Sequence, residues 1–183
     1  MRTAAIEALT ADAMRTTALQ DLCELLRDAV SGGASVGGVA VPSELEAAAY
    51  WRGIADQVHS GAIVVLVART PSQVVGSVQL HLSARPNGTH RAEVARLLVH
   101  SRARRHGVGT ALMHAIEEAA LQRGISLLVL DTRTGDPSQQ LYAQIGYILA
   151  GIIPHYARGT TGTLEPTSIM YKEIQNGPGA ATE

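Results

Sequence analysis

The chain has 183 residues, 46% hydrophobic and 17% charged, the proportions of one globular domain with a proper core. Its net charge of −1 excludes a global field that would recruit nucleic acid or an anionic membrane, so any basic site must be local. A single cysteine, Cys23, excludes an internal disulfide and a zinc cluster, and its place in the apolar pattern "ALQDLCELL" makes it a small buried hydrophobe.

Residues 3–10 read as a first strand. Leu19, Leu22, Cys23, Leu25, Leu26 and Val30 recur with a helical period across 16–31. "SGGASVGG" (31–38) breaks that helix, and Pro42-Ser43-Glu44 opens a second one to about His59. "AIVVLVART" (62–70) and "QVVGSVQLHLS" (73–83) form a hairpin, Asn87-Gly88 marks a turn, and "AEVARLLVH" (92–100) is a third β-rich run. A helix follows over 107–123, then the apolar strand "SLLVLD" (126–131), of the kind found in sheets covered on both faces. Asp136, Pro137 and Gln139 have the residue types of an N-cap, a first-turn proline and a capping box, for a helix ending at Gly146. "YILAGII" (147–153) and "SIMYKEI" (168–174) are the last strands, with a Gly/Thr/Pro loop between them. The order βααβββαβαββ predicts one α/β (α+β) domain over 1–175, with 176–183 as a frayed tail. The start lacks the basic residues and apolar run of a signal peptide, and the longest apolar run (62–68) is too short to span a bilayer as a helix, so the expected location is the cytoplasm.

The chemistry concentrates in "HSRARRHGVGTALMHAIEEAA" (100–120), where cations and two glycines precede a helix. A helix N-terminus presents unpaired N–H groups and a partial positive charge, and glycine lets an anion approach the backbone. Arg104, Arg105, His106, Gly107, Val108, Gly109 and Thr110 therefore form either a phosphate cradle or a tight turn with a solvated basic face. A Walker A loop fails, because Gly109 is followed by Thr110-Ala111 rather than by lysine. A dinucleotide fingerprint has Gly107, Gly109 and Asp131, but Leu112 stands at its third glycine and a basic segment separates the glycines from their strand.

The remaining pattern is R-x-x-G-x-G, carried by Arg104, Gly107 and Gly109 and preceded by the strand ending Leu97-Leu98-Val99. With "LYAQIGY" (141–147) downstream and the element order above, the chain resembles the GNAT superfamily of acetyl-CoA-dependent N-acetyltransferases. "GGASVG", "PNG", "RAEV", "LDT" and Thr167-Ser168-Ile169-Met170-Tyr171-Lys172 resemble in particular the tabtoxin-resistance branch of that superfamily, over about residues 31–172. The resemblance implies a mixed, mostly antiparallel sheet of six to seven strands, splayed where the coenzyme binds and flanked by about four helices. It implies that Arg104–Thr110 hold the coenzyme A pyrophosphate, and that Leu97, Leu98 and Val99 hydrogen-bond its pantetheine. Where many members carry asparagine seven residues before the helix tyrosine, this chain has Gly135.

Acetyl transfer to an amine needs an ammonium to lose a proton and a thiolate to gain one. The resemblance makes Glu93, six residues before Val99, a candidate base, against a strand glutamate paired with Arg91 or Arg96. Asp131, at the end of an apolar strand, is either a second carboxylate for the substrate ammonium or a turn partner of Thr132 or Thr134. Tyr142 matches the family tyrosine that protonates the leaving thiolate; a phenol is protonated at neutral pH and can donate. Direct attack needs no protein nucleophile. The seven histidines lack metal-ligand spacing, so no metal is expected. Ser35, His155 and Tyr156, together with Asp131, are candidates for the acceptor side.

Neither acceptor segment is strongly acidic, which disfavours a polycationic aminoglycoside. The resemblance implies a small amine substrate of amino-acid, dipeptide, antibiotic or toxin type, and a role in detoxification or resistance. A protein or peptide acetyltransferase and a non-catalytic acetyl-CoA-binding module are the alternatives. Exposed terminal strands offer edges for a homodimer.

Overall fold

The computed structural model describes residues 4–34, 40–159 and 162–175. The elements are β1 (Ala5–Ala8), α1 (Ala11–Arg15), α2 (Leu19–Ser31), α3 (Glu44–His59), β2 (Ile63–Arg69), β3 (Val74–Leu82), β4 (Arg91–Val99), α4 (Val108–Leu121), β5 (Leu127–Arg133), α5 (Pro137–Gln144), β6 (Ile148–Arg158) and β7 (Leu164–Glu173). The strands form one seven-stranded sheet in the order β1-β2-β3-β4-β5-β7-β6. Only β4 and β5 pair in parallel; the other neighbours are antiparallel.

Local chemistry explains most boundaries. Ser43 accepts from the Glu46 N–H while the Glu46 carboxylate accepts from the Ser43 N–H, and this capping box starts α3. The helix expected over 16–31 begins later, at Leu19, because Thr10 caps a separate short helix, α1, by accepting from Ala13 N at 3.2 Å. Among the described residues there are five α-helices, where about four were expected. The 136–139 segment also differs from expectation. Asp136 is the N-cap residue of α5 and Pro137 opens its first turn, as expected, but the Asp136 side chain makes no capping bond; its carboxylate accepts from Arg133 Nε at 3.0 Å, and Gln139 accepts from the Gly135 N–H instead. β6 runs to Arg158, through Pro154, where a loop was expected. An edge strand has one side free, so a residue without an N–H leaves no ladder bond unmade there. The tail 176–183 lies outside the described residues.

Two apolar layers sandwich the sheet. On one face, α4 lays Leu112, Met113 and Ile116 against Val78, Leu80, Val94, Leu128 and Leu130. On the other, α2 and α3 pack Leu22, Leu25 and Trp51 against Val65, Val67 and Leu98. The Trp51 indole N–H, fully buried, donates to Leu22 O at 2.8 Å and ties the two helices together. Among the described residues, no helix is long and apolar enough to cross a membrane.

Candidate active site

A strand that joins its neighbour for only part of its length opens a cleft, and β4 does this against β5. Its parallel pairing with β5 spans Arg91–Glu93 against Leu127–Val129 and stops there, while β5 continues to Arg133 against β7. Farther along, Ser77 pairs with Leu98 and Gln79 with Ala95, so Arg96 and Leu97 together oppose Val78 alone. This is a β-bulge, with Arg96 at φ 54°. The Arg96 guanidinium lies 5.7 Å from the Tyr50 ring centroid, a cation–π contact that anchors the bulge to α3.

The basic segment follows immediately. Arg105 (φ 63°) and Gly107 (φ 77°) both take left-handed backbone, the conformation from which anion-binding nests of N–H groups are built. Gly107 is the N-cap of α4 and has no side chain to fill the position; a Cβ there would meet nothing within 4 Å. The first turn of α4 carries no acidic residue, so nothing in it neutralises the dipole end. Arg105 and His106 are exposed, Val108 is buried and Thr110 half-buried. A Cβ on Gly109 would sit 3.4 Å from Leu141, 3.7 Å from Val99 and 3.9 Å from Leu97, which places this glycine between β4 and α5. The Leu98 side chain points to the opposite core, so only its backbone faces this region.

Arg104 is exposed, and its side chain folds back along its own loop. Its Nε donates to Val99 O at 3.1 Å, and its guanidinium lies 3.0 and 3.2 Å from where a Gly32 Cβ would be, across the end of α2. Asp28 on α2 makes a second tether, accepting from Ser101 N and Ser101 Oγ, both at 2.7 Å. Burial pulls the Asp28 carboxyl upward, but the Ser101 hydrogen bonds, with His100 and Arg104 nearby, outweigh it and hold the group below the usual carboxylate range.

The two carboxylates share a face. Glu93 pairs with Val129, and Asp131 stands two residues beyond Val129 on the same strand, so both point to the α2/α3 side of the sheet and both are exposed. β5 runs past Asp131 to Arg133, so this aspartate lies within its strand rather than at its end. Among the described residues, Glu93 forms no ion pair with Arg91 or Arg96, and Asp131 no hydrogen bond with Thr132 or Thr134. Thr132 instead meets Ser138 at 2.7 Å, and Thr134 meets Ser168 at 2.9 Å.

Tyr142 on α5 is 7% exposed, its ring 5.9 Å from that of Tyr147. Burial first, and then the Asp131 charge, push its hydroxyl well above the ordinary tyrosine range. Gly135 takes a left-handed turn (φ 86°) just before this helix.

Not every candidate gathers here. His155 (φ 54°) and Tyr156 (54% exposed) lie on β6, two strands beyond β5, at the outer edge of the sheet. Ser35 lies outside the described residues. Arg133, by contrast, was not singled out from the sequence and joins four segments. It donates to Asp136 at 3.0 Å, to Glu165 at 3.0 Å and to Gly33 O at 2.6 Å, and so ties the α2–α3 connection to β5, β7 and the start of α5.

Residues 19–147 match the acetyltransferase (GNAT) family model. An uncharacterized N-acetyltransferase from the hisH-hisA intergenic region of Azospirillum brasilense is 35% identical over 124 residues, 67% of this chain and 72% of that protein. The crystal structure of ribosomal-protein-alanine N-acetyltransferase from Brucella melitensis superposes with a TM-score of 0.77 at 22% identity, covering 93% of this chain and 99% of that one. The yncA structure from Salmonella typhimurium, assigned as an acetyltransferase and described with its cofactor acetyl-CoA, gives 0.75 at 15% identity and covers 98% of each chain. With a family match over most of its length and a seven-stranded sheet that splays beside a glycine-capped helix, the chain belongs to the acetyltransferase (GNAT) family.

Proposed function

We propose that this protein is a cytoplasmic, acetyl-CoA-dependent N-acetyltransferase that acts on the primary amine of a small molecule by direct attack. The observation that carries the reading is the cleft between β4 and β5, with an anion nest at one end and two carboxylates on its open face. The nest suits a pyrophosphate: it has left-handed backbone at Arg105 and Gly107, an open N-cap and exposed Arg105 and His106. When bound, acetyl-CoA supplies the acetyl thioester. Arg105, His106 and the N–H groups of 107–110 hold the phosphates, and the backbone of Leu97–Val99, beyond the last β4–β5 pair, holds the pantetheine. Arg104 acts from behind, bracing the loop against α2.

An alkylamine has a pKa of ~10, so it arrives protonated at neutral pH. Glu93 and Asp131 attract that ammonium and hold it at the cleft for the loss of its proton. Tyr142, kept protonated by burial and by Asp131, donates to the departing sulfur. The Arg133 tether over the acceptor side favours a small amine over an extended peptide, since it joins the α2–α3 connection to the sheet. Similarity to the tabtoxin-resistance branch points to amino-acid, dipeptide or toxin-like acceptors and a detoxifying role. Residues 1–175 act as one domain with 176–183 as a tail, and two copies pair through the exposed β6 edge.

Coenzyme A release, read by thiol detection across amino acids, dipeptides, β-lactam toxin analogues, aminoglycosides, polyamines and lysine peptides, tests this directly. Turnover on one small amine, reduced in Tyr142→Phe, is the expected result. Tight acetyl-CoA binding without turnover on any amine would favour a binding module, and no binding at all would overturn the proposal.

A further inference from the structure

A chain of polar side chains lies behind Glu93 on the acceptor face. Gln79, fully buried, donates its amide N–H to the Tyr50 hydroxyl at 3.0 Å, and its carbonyl Oε1 lies 2.9 Å from His81 Nε2. A carbonyl oxygen only accepts, so His81 Nε2 must carry the hydrogen in this bond. A neutral imidazole has one N–H, which leaves Nδ1 with a free lone pair. Among the described residues, Nδ1 has no hydrogen-bond partner. His81 pairs directly across the ladder with Glu93, so the imidazole and the carboxylate share one face. The other groups around it are Arg96 on β4 and Tyr50 on α3, while its partner on β2 is the apolar Ile63.

We infer that His81 Nδ1 is the group that takes the ammonium proton, with the Glu93 carboxylate drawing the amine in and stabilising the imidazolium that forms. This rests on the acetyltransferase reading above. One N–H bond of the substrate ammonium breaks, and its proton passes to Nδ1. The nitrogen lone pair is then free to attack the acetyl carbon, and the imidazolium returns its proton to solvent. Imidazole is ordinarily a stronger base than a glutamate, ~6.5 against ~4.3. Burial holds His81 below its usual range, with Glu93 pulling up and Arg96 pulling down, so it stays in the free-base form at neutral pH. The buried Gln79, held by its bond to Tyr50, fixes the tautomer, as a proton acceptor requires.

Two measurements on the full chain test this. Ring-nitrogen NMR of the wild type, assigned through His81→Gln, should show a neutral imidazole at pH 7 with the hydrogen on Nε2; hydrogen on Nδ1 would overturn the inference. Turnover of the best amine should fall about 100-fold in His81→Gln at pH 7, with acetyl-CoA affinity by calorimetry unchanged. The deficit should shrink as pH approaches ~10, where the amine loses its own proton. A loss independent of pH, or none, would remove His81 from the reaction while leaving the acetyltransferase reading intact. Absence of wild-type turnover on every amine would overturn both.

Discussion

Glu93 and Val129 are the last pair that joins β4 to β5, and Gly107 turns the chain back into α4 beside the opening they leave. Gly107 is the position where the nest depends on one residue. Its φ of 77° is open to glycine but costs an L-residue roughly 1–2 kcal/mol, and a Cβ there meets no neighbour within 4 Å. The penalty is therefore conformational rather than steric. Gly107→Ala should lower the unfolding midpoint modestly and weaken acetyl-CoA binding about tenfold by calorimetry. Gly107→Asn should lose less of both, because asparagine tolerates this backbone region. Equal losses in the two variants would mean that space, not backbone angle, matters.

Tyr142 is buried, and both the burial and the nearby Asp131 charge keep its phenol protonated across the neutral range. Tyr142→Phe should reduce kcat by 10- to 100-fold with little change in KM for acetyl-CoA, the pattern of a proton donor rather than a binding contact (~10²–10⁴ for a full acid–base role). Asp131→Asn removes a like charge and should move the tyrosinate absorbance transition to lower pH. An unchanged transition would show that Asp131 does not face this hydroxyl.

Much of this arrangement was legible in residue order, and the illegible parts share a cause. The 3.6 period of α2, the glycines at 107 and 109 and the run 126–131 are local signals, and each marked its element. The Arg96 bulge leaves no such mark, because a positive φ at arginine is imposed by the pairing of two strands. Gln79 reaches Tyr50 across 29 residues, and Arg133 reaches Gly33 across 100, so only the sheet register reveals them. β6 extends past 147–153 through Pro154, which an edge strand admits and a central one does not, and residue order alone does not tell the two apart.

The Asp28 tether has a pH signature. Its folded pKa is depressed, so the stability it contributes is present above its unfolded value of ~3.9 and is lost as pH falls through the folded value. Asp28→Asn should lower the urea midpoint at pH 7, and the gap from wild type should close below pH ~4. Because Ser101 lies on the loop leading to the nest, the same variant should weaken acetyl-CoA binding severalfold. A stability gap that does not narrow at all as pH falls below ~4 would show that the carboxylate charge is not what holds the loop.

Arg133 offers a test that tells the proposed acceptor side apart from the proposed coenzyme side. It meets Asp136, Glu165 and the Gly33 carbonyl at once, and its removal leaves two carboxylates without their cation. Arg133→Met should raise KM for the amine about tenfold while leaving KM for acetyl-CoA near wild type. Arg133→Lys should recover little, since one ammonium cannot reproduce the planar three-way contact. A parallel rise in both KM values would mean that Arg133 supports the whole fold rather than the acceptor side.

The outer edge of the sheet carries the last prediction. Ile148, Leu149, Ile152, Ile153 and Tyr156 of β6 and Leu164 of β7 are each 43–56% exposed. β6 turns apolar side chains to both of its faces: Leu149 lies on the side of Met170, and Ile148 on the side of Tyr171. A solvated edge strand ordinarily carries charge against unwanted pairing, yet in the eleven residues of β6 the one Lys or Arg is Arg158, at its end. Apolar side chains gathered along one exposed edge in this way are the kind of surface that marks an interaction site. A second copy laid on this edge would cover the patch on both molecules at once, because a twofold contact is self-complementary. Sedimentation should therefore show a dimer at micromolar concentration, and Ile152→Glu combined with Ile153→Lys should yield a folded monomer. A wild-type monomer at that concentration would assign the apolar edge to some other partner.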